Sequence, residues 1–256
     1  MRLTGRAAIV TGAAGGLGSE ICRRFATEGA SVCLVDRVDT GATLTSLKGV
    51  DPAQQFIEAR ADVSDSADVA SMVERTIAAF GRIDILVNVA GISSHGSSDD
   101  VTEAVWDEVL KVNLKSVFLC CKAVLPQMRD RRYGRIVNIG SVLGKNGGNP
   151  RPWIDKGEQT RAGSLAYGAS KAGVHAVTMY LAKENASEGI TVNCVAPGPI
   201  ATHMTRNFSQ TLRNLLPVGR MGTPEDVADA VAYLAGEQAG FVTGEVLDVN
   251  GGLWGD

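Results

Sequence analysis

The sequence predicts an α/β protein: a single Rossmann-like, doubly wound parallel sheet of about seven strands, flanked by helices on both faces. Three observations lead there. Runs at 7–11, 31–36, 56–62, 83–88, 135–140, 191–196 and 245–249 read as strands, and several are apolar nearly throughout. Strands buried on both faces read this way, whereas strands with one wet face alternate. Patterns of helical period separate them, and a βαβα succession implies a parallel sheet with right-handed crossovers. Finally, 256 residues, 45% of them hydrophobic, suit one α/β unit with a sizeable core.

The elements follow in order. The strand at 7–11 leads through a glycine-rich turn into a helix at 18–28, and the strand at 31–36 ends in Asp36. Further helices are expected at 66–80, 102–128, 164–187 and 224–235. Val101-Thr-Glu opens the helix at 102–128; Gly222-Thr-Pro-Glu opens the last one, with Pro224 in the first turn, where a missing N–H costs nothing. The stretch 145–163, rich in Gly, Pro and charge, reads as a loop. No repeat, low-complexity segment or linker interrupts the pattern, so residues 1–256 read as one domain that both binds a dinucleotide and carries the chemistry.

Composition removes other classes. A net charge of −3 and 5% aromatic residues argue against a nucleic-acid partner, which would call for a basic excess and stacking side chains. The five cysteines are odd in number and lack metal-ligand spacing. They read as small buried hydrophobes in a reducing compartment, and no metal is expected. The N-terminus lacks the pattern of a secretory leader, and no run approaches the length of a membrane span. The expectation is a soluble cytoplasmic protein acting on a small molecule.

The first chemical signal is Thr11-Gly12-Ala13-Ala14-Gly15-Gly16-Leu17-Gly18, between a strand and a helix. Glycines here let the backbone approach a pyrophosphate, and the helix start offers unpaired N–H groups and a favourable dipole. Alone, the same glycines would serve a plain tight turn. Asp36 strengthens the dinucleotide reading, because a carboxylate at the end of the second strand bonds a ribose diol. It also repels a 2′-phosphate, which favours NAD over NADP. Arg37 pulls the other way, since a cation there pairs with that phosphate.

The second signal is Tyr167-Gly-Ala-Ser-Lys171, near the start of the helix at 164–187. A spacing of four puts both side chains on one face. A free phenol, with a pKa of about 10, is a poor base at neutral pH, and a nearby ammonium lowers it. Taken alone, the pair also fits a core tyrosine beside a surface lysine.

Together these residues resemble the short-chain dehydrogenase/reductase family in its compact form, and the resemblance spans essentially the whole chain. Gly12, Gly16 and Gly18, with Leu17 between the last two, match its glycine motif. Asp62-Val63 matches the pair that lies against the adenine. Asn88-Val89-Ala90-Gly91 is similar to its N-N-A-G segment, with Val89 in place of the second Asn. Asn113 matches a helix asparagine of the proton relay, and Ser141, after Ile136-Val-Asn-Ile-Gly, the catalytic serine. Tyr167 and Lys171 complete the tetrad. Pro197, Gly198, Ile200 and Thr202 match the segment at the nicotinamide carboxamide, and Asp248-Val-Asn-Gly-Gly resembles the C-terminal strand and turn.

The resemblance implies an oxidoreductase that transfers a hydride between NAD(H) and an alcohol or ketone: a secondary alcohol, polyol or sugar. Ser141 would hold the substrate oxygen, Tyr167 exchange its proton, and Lys171 bind the nicotinamide ribose and keep Tyr167 acidic. Asn113 would link Lys171 to solvent through water.

The sequence departs from the family in one respect. Ser141 and Tyr167 stand 26 positions apart, farther than in many relatives, and the extra length falls in 145–163. With Arg151, Lys156, Arg161 and Trp153, this insertion reads as a substrate lid for a polar or anionic substrate, or equally as a surface insertion or oligomer contact. A second substrate loop at 202–216 carries Met204, Phe208, Leu212 and Leu215 at helical spacing. His95 and His203 follow strand ends and are candidate substrate contacts; His175 reads as packing.

Other functions remain open. Gly219-Arg-Met-Gly and 244–252 are similar to 3-oxoacyl carrier-protein reductases, which usually use NADPH. Against that stand Asp36 and Glu188, the latter where that group tends to carry a basic residue for docking its acidic carrier; Arg131 and Arg132 could supply part of such a patch. A silent dinucleotide sensor would commonly have lost the tyrosine or lysine. An epimerase would turn over substrate without net NADH formation. The resemblance also implies a homotetramer or homodimer, built through the helices at 102–128 and 164–187 and the C-terminal end.

Overall fold

The computed structural model describes residues 1–47, 49–50, 54–148, 155, 157, 160, 163–205 and 210–255. The first strand, β1 (Ala7–Thr11), is buried at every position. Its side chains alternate between two cores: Ala8 and Val10 join Ile21, Phe25, Val227 and Val231 on one side, while Ile9 joins Met72, Val124 and Val174 on the other. A strand between two helical layers must be apolar on both faces, which is why the run carries no alternation.

The remaining strands are β2 (Ser31–Asp36), β3 (Phe56–Arg60), β4 (Ile85–Asn88), β5 (Gly134–Ile139), β6 (Ile190–Pro197) and β7 (Val246–Val249). They form one sheet in the order β3-β2-β1-β4-β5-β6-β7, and every neighbouring pair is parallel. The chain runs outward from β1 to β3, then returns to start the other half at β4. That reversal opens a crevice beyond the C-terminal ends of β1 and β4.

The helices are α1 (Gly16–Thr27), α2 (Gly41–Leu47), α3 (Ser66–Phe80), α4 (Glu103–Leu110), α5 (Ser116–Arg131), α6 (Leu143–Asn146), α7 (Leu165–Asn185), α8 (Gln210–Arg213) and α9 (Pro224–Ala235). Helix α9 begins as predicted: Thr223 accepts from the Asp226 N–H while Asp226 accepts from the Thr223 N–H, with Pro224 next to the cap. The Arg220 guanidinium on the Asp226 carboxylate holds that group down at about 2. All five cysteines are free and buried. Among the described residues, no helix is long and apolar enough to cross a membrane.

The helix expected at 102–128 is three pieces. Between α4 and α5 the chain makes a π-helical turn, Lys111–Lys115. The wider turn sits where Asn113, fully buried, reaches out of the helix to bond the backbone of a neighbouring loop. Helices α2 and α6 were not predicted, because 7 and 4 residues are too few to show a period.

A buried polar bridge ties the sheet to α7. Asn88 Nδ2 donates to Asn138 Oδ1 at 2.8 Å, and Asn138 Nδ2 donates to Thr178 Oγ1 at 2.9 Å. Asn88 and Asn138 face one another across the β4–β5 ladder, and both are buried. Replacing Asn138 with Ala strands two buried partners. We expect a loss of about 3 kcal/mol of unfolding free energy in a denaturant titration; a loss under about 0.5 kcal/mol would show that the bridge is not structural.

Candidate active site

The site is assembled at the C-terminal ends of β1, β4 and β5 with the first turns of α1 and α7. Gly12 has φ +67°, a conformation open to glycine, and a Cβ there would lie 3.0 Å from the Ala90 nitrogen. A Cβ on Gly18 would penetrate the Gly12 carbonyl. Gly16 also has positive φ. Helix α1 starts behind Gly15 with no side-chain cap, so its first N–H groups face the crevice, as phosphate binding at a helix start requires.

Thr11, just before the first glycine of this motif, also shapes the site. Its Oγ1 accepts from the Val89 N–H (2.9 Å) and the Ala90 N–H (3.1 Å) and donates to the Val87 carbonyl. It therefore fixes β1 to the end of β4. Its cue in the sequence is a hydroxyl as the last strand residue before the first glycine.

Asp36 stands beside this turn, its carboxylate accepting from the Ala14 and Val38 N–H groups at 3.0 and 3.2 Å. Arg37 is exposed, and its charge falls on Asp62, together with that of Lys111. Asp62 accepts from the Ser64 hydroxyl and N–H, and these two bonds are the main reason its carboxyl lies below the usual range. Val63 beside it is buried. Asn88 differs from the other matched positions: its amide nitrogen is spent on Asn138 and on Cys121 Sγ. Pro197 accepts from the Val142 N–H, and Gly198 lies so near Asn250 that a Cβ would stand 2.8 Å from its Cα. Ile200 is buried, and the Thr202 N–H donates to Thr205 Oγ1.

The reactive cluster is Ser141, Tyr167, Lys171 and Asn113. The Ser141 side chain lies beside the Tyr167 phenol and lowers its pKa, and its hydroxyl accepts from the Leu143 N–H at 3.1 Å. Lys171 is buried; its Nζ donates to the Ile139 carbonyl at 2.7 Å and stands 5.7 Å from the centre of the Tyr167 ring. Asn113 grips Ile92 by both N–H and C=O, at 2.8 and 2.9 Å, and donates to Ser170 Oγ at 3.1 Å. Ser170 in turn donates to the Tyr167 carbonyl, and the Tyr167 N–H donates to Ser94 Oγ. A Cβ on Gly91 would meet both Asn113 Oδ1 and Lys171 Nζ, at 3.2 and 3.6 Å. Ser94 and Ser170 carried no signal in the sequence; only the approach of the β4 loop to α7 shows them.

Burial pushes the Tyr167 phenol above its ordinary value, and the neighbouring Ser141 side chain lowers it in part. The same burial brings Lys171 down to about 8. Two groups that charge with opposite sign are both driven toward their neutral forms when water is withdrawn.

His95 and His203 are exposed, and no hydrogen bond joins either to the cluster among the described residues. His175 is not mere packing: its Nε2 accepts from the Ser141 N–H at 3.4 Å. Arg151, Trp153, Lys156, Arg161 and Phe208 lie outside the described residues, as do the side chains of Met204 and Leu212. The Gly96 N–H bonds the Gly163 carbonyl, which brings the end of the 145–163 segment beside the β4 loop. Near Thr202 a cavity of about 740 Å³ is lined by Gln210, Arg213, Asn214 and Arg220, among others.

A glycine cradle that a Cβ would fill, a carboxylate at the end of β2, and a phenol and an ammonium in one enclosed cluster fit an extended dinucleotide with its reactive ring toward Tyr167. Fold and site together define a dinucleotide-dependent oxidoreductase of the Rossmann type. Residues 12–254 match the family model for enoyl-(acyl carrier protein) reductase. The chain is 41% identical to (2S)-[(R)-hydroxy(phenyl)methyl]succinyl-CoA dehydrogenase subunit BbsD of Thauera aromatica, over 98% of each protein. It is 40% identical to an acetoacetyl-CoA reductase of Allochromatium vinosum, over 97% of this chain and 98% of the other. It is 38% identical to the 3-oxoacyl-(acyl-carrier-protein) reductase FabG of Escherichia coli, over 99% of each. A crystal structure of a short-chain dehydrogenase/reductase from Burkholderia xenovorans superposes with a TM-score of 0.89 at 37% identity, covering 98% of this chain and 97% of that one. The chain belongs to the short-chain dehydrogenase/reductase family, oxidoreductases that bind a nicotinamide cofactor.

Gly18→Ala should remove dinucleotide binding, because the new methyl has no room against the Gly12 carbonyl. NADH fluorescence titration of the folded variant checks this, and wild-type affinity would contradict the cradle.

Proposed function

We propose that this enzyme interconverts a 3-hydroxyacyl and a 3-oxoacyl thioester of coenzyme A with NAD(H). The observation that carries the reaction type is the cluster in which Ser141, just after β5, adjoins the Tyr167 phenol of α7, with Lys171 Nζ 5.7 Å from the phenol ring. The substrate class narrows the secondary alcohols left open by the sequence. The three relatives named above act on a hydroxyacyl-CoA, acetoacetyl-CoA and a 3-oxoacyl carrier protein. Coenzyme A is favoured over the carrier protein by one ion pair. Arg132, which could have joined a docking patch for an acidic carrier, donates instead to Glu188 at 3.1 Å and to the Ser187 carbonyl.

Gly12, Gly16, Leu17 and Gly18 would hold the pyrophosphate and Asp36 the adenosine ribose. Asp62 and Val63 would flank the adenine. Ala90, Gly91, Pro197, Gly198, Ile200 and Thr202 would line the nicotinamide end, with Tyr167 and Lys171 at its ribose. Asp36 supports NAD because its carboxylate would repel a 2′-phosphate. When bound, the nicotinamide supplies the two-electron partner of the substrate carbon. Ser141 donates its O–H to the substrate oxygen and holds it at the phenol. In reduction, Tyr167 gives its proton to that oxygen; in oxidation it must first become a phenolate. Burial that raises the phenol keeps this proton in place across the neutral range, which suits the acid role. Asn113 fixes the β4 loop against α7, so that Gly91 stays against Lys171.

The test is a spectrophotometric panel of acetoacetyl-CoA, secondary alcohols, polyols and sugars, with NAD(H) and NADP(H). Acetoacetyl-CoA with NADH should give the highest kcat/KM. Tyr167→Phe should lower kcat by about 10³-fold with NADH binding retained. Reduction should slow and oxidation quicken as pH rises through the alkaline range. Turnover restricted to sugars or polyols would remove the thioester reading, and near-normal turnover by the Phe variant would remove the assigned acid.

The assembly proposed is a homotetramer or homodimer. Its support is apolar side chains left exposed on the expected faces: Val105 and Phe118 on α4 and α5, Met179 and Tyr180 on α7, and Phe241 toward the C-terminal end. Sedimentation equilibrium should give a mass two or four times that of the chain, and a monomer at micromolar concentration would exclude it.

A further inference from the structure

We propose that His175 is a positioning residue for Ser141: its imidazole takes the place of a missing strand and fixes the serine backbone from below. The inference rests on the reading of Ser141 as the group that holds the substrate oxygen.

The argument starts from the ladder beyond β5. The Gly140 and Val142 N–H groups bond the Val195 and Pro197 carbonyls of β6. N–H groups alternate in direction along a strand, so the Ser141 N–H between them points away from β6. On that side β4 has ended at Asn88, whose partner is Asn138, so no strand remains to accept it. A buried N–H without an acceptor is costly. His175 Nε2 supplies the acceptor, at 3.4 Å.

The seat for the ring is built into the backbone. A Cβ on Gly140 would collide with His175 Nε2 and stand 2.7 Å from Cys194 Sγ. A Cβ on Gly144 would stand 2.8 Å from His175 Cε1 and 2.8 Å from the Ala172 nitrogen. Glycine on both flanks of the serine segment thus leaves a slot that the imidazole fills, and His175 is buried in it. Because a backbone N–H can only donate, Nε2 must carry its lone pair, which places the ring proton on Nδ1. The remaining anchors of Ser141 are local: its carbonyl accepts from the Gly144 N–H at 3.0 Å, and its hydroxyl from the Leu143 N–H. His175 adds a backbone-directed contact between this turn and α7, one helical turn past Lys171. The spacing between Ser141 and the Tyr167–Lys171 face is thereby set from within the same helix.

The test compares His175→Asn, His175→Gln and Ser141→Ala with the wild type, using acetoacetyl-CoA and NADH. The Gln amide oxygen reaches the position of Nε2, whereas the Asn amide falls short. The Asn variant should lose about tenfold in kcat, with KM and NADH affinity changed less than about threefold, and the Gln variant should recover most of it. Wild-type kcat in the Asn variant, or equal loss in both variants, would overturn the inference. Full activity in Ser141→Ala would overturn it together with the reading of Ser141. If the wild type does not reduce acetoacetyl-CoA, the substrate reading fails alone, and the Ser141 amide proton resonance decides. It should move upfield in the Asn variant and return in the Gln variant; an unmoved resonance would overturn the positioning contact.

Discussion

At the C-terminal ends of β1 and β4 the chain leaves the sheet in opposite directions, and the hydroxyl of Thr11 keeps the two ends together. It accepts two N–H groups from the segment after β4, which the parallel ladder can no longer pair. Its hold allows Gly12 to pass Ala90 at van der Waals distance. The cradle behind Gly12, the carboxylate of Asp36 beside it and the loop that carries Gly91 to Lys171 all take their positions from that joint. A parallel sheet supplies a crevice wherever its strand order reverses; side-chain bonds of this kind decide how tightly the crevice is drawn.

The same economy governs the reactive cluster. Ser141, Asn113 and the Tyr167–Lys171 pair come from three different elements, and three of these side chains spend part of their bonding capacity on backbone: Lys171 on Ile139, Asn113 on Ile92, Ser141 on Leu143. These bonds hold the cluster rigid without a network of charges. Withdrawal of water raises the phenol of Tyr167 and lowers the ammonium of Lys171.

Much of this was legible in the residues. The strand and helix order, the Thr223 cap of α9, the glycine turn with Asp36 and the Tyr167–Lys171 pair each have a local cause: a buried strand's composition, a cap's hydrogen bonds, a glycine's φ, a helical spacing. What stayed illegible has a long-range cause. The resemblance singled out Asn113, but the π-helical turn around it was not legible, because that turn answers to a loop 21 positions away. His175 looked like packing because the donor it serves lies 34 positions back, on a strand whose neighbour has ended. The bond of the Asn88 amide to Asn138 was not legible either, because its partner lies 50 positions away on the next strand.

Local chemistry, read along the chain alone, determined the class of fold, the place of the glycine turn and the pairing of Tyr167 with Lys171 on one helix face. Periodicity, glycine content and helical spacing act over a few residues and are written directly in the order of side chains. Tertiary structure alone decided the direction in which burial shifts the pair and the partners that hold the serine. Desolvation and hydrogen-bond completion depend on what the rest of the chain brings to within a few ångströms, and no local pattern encodes that.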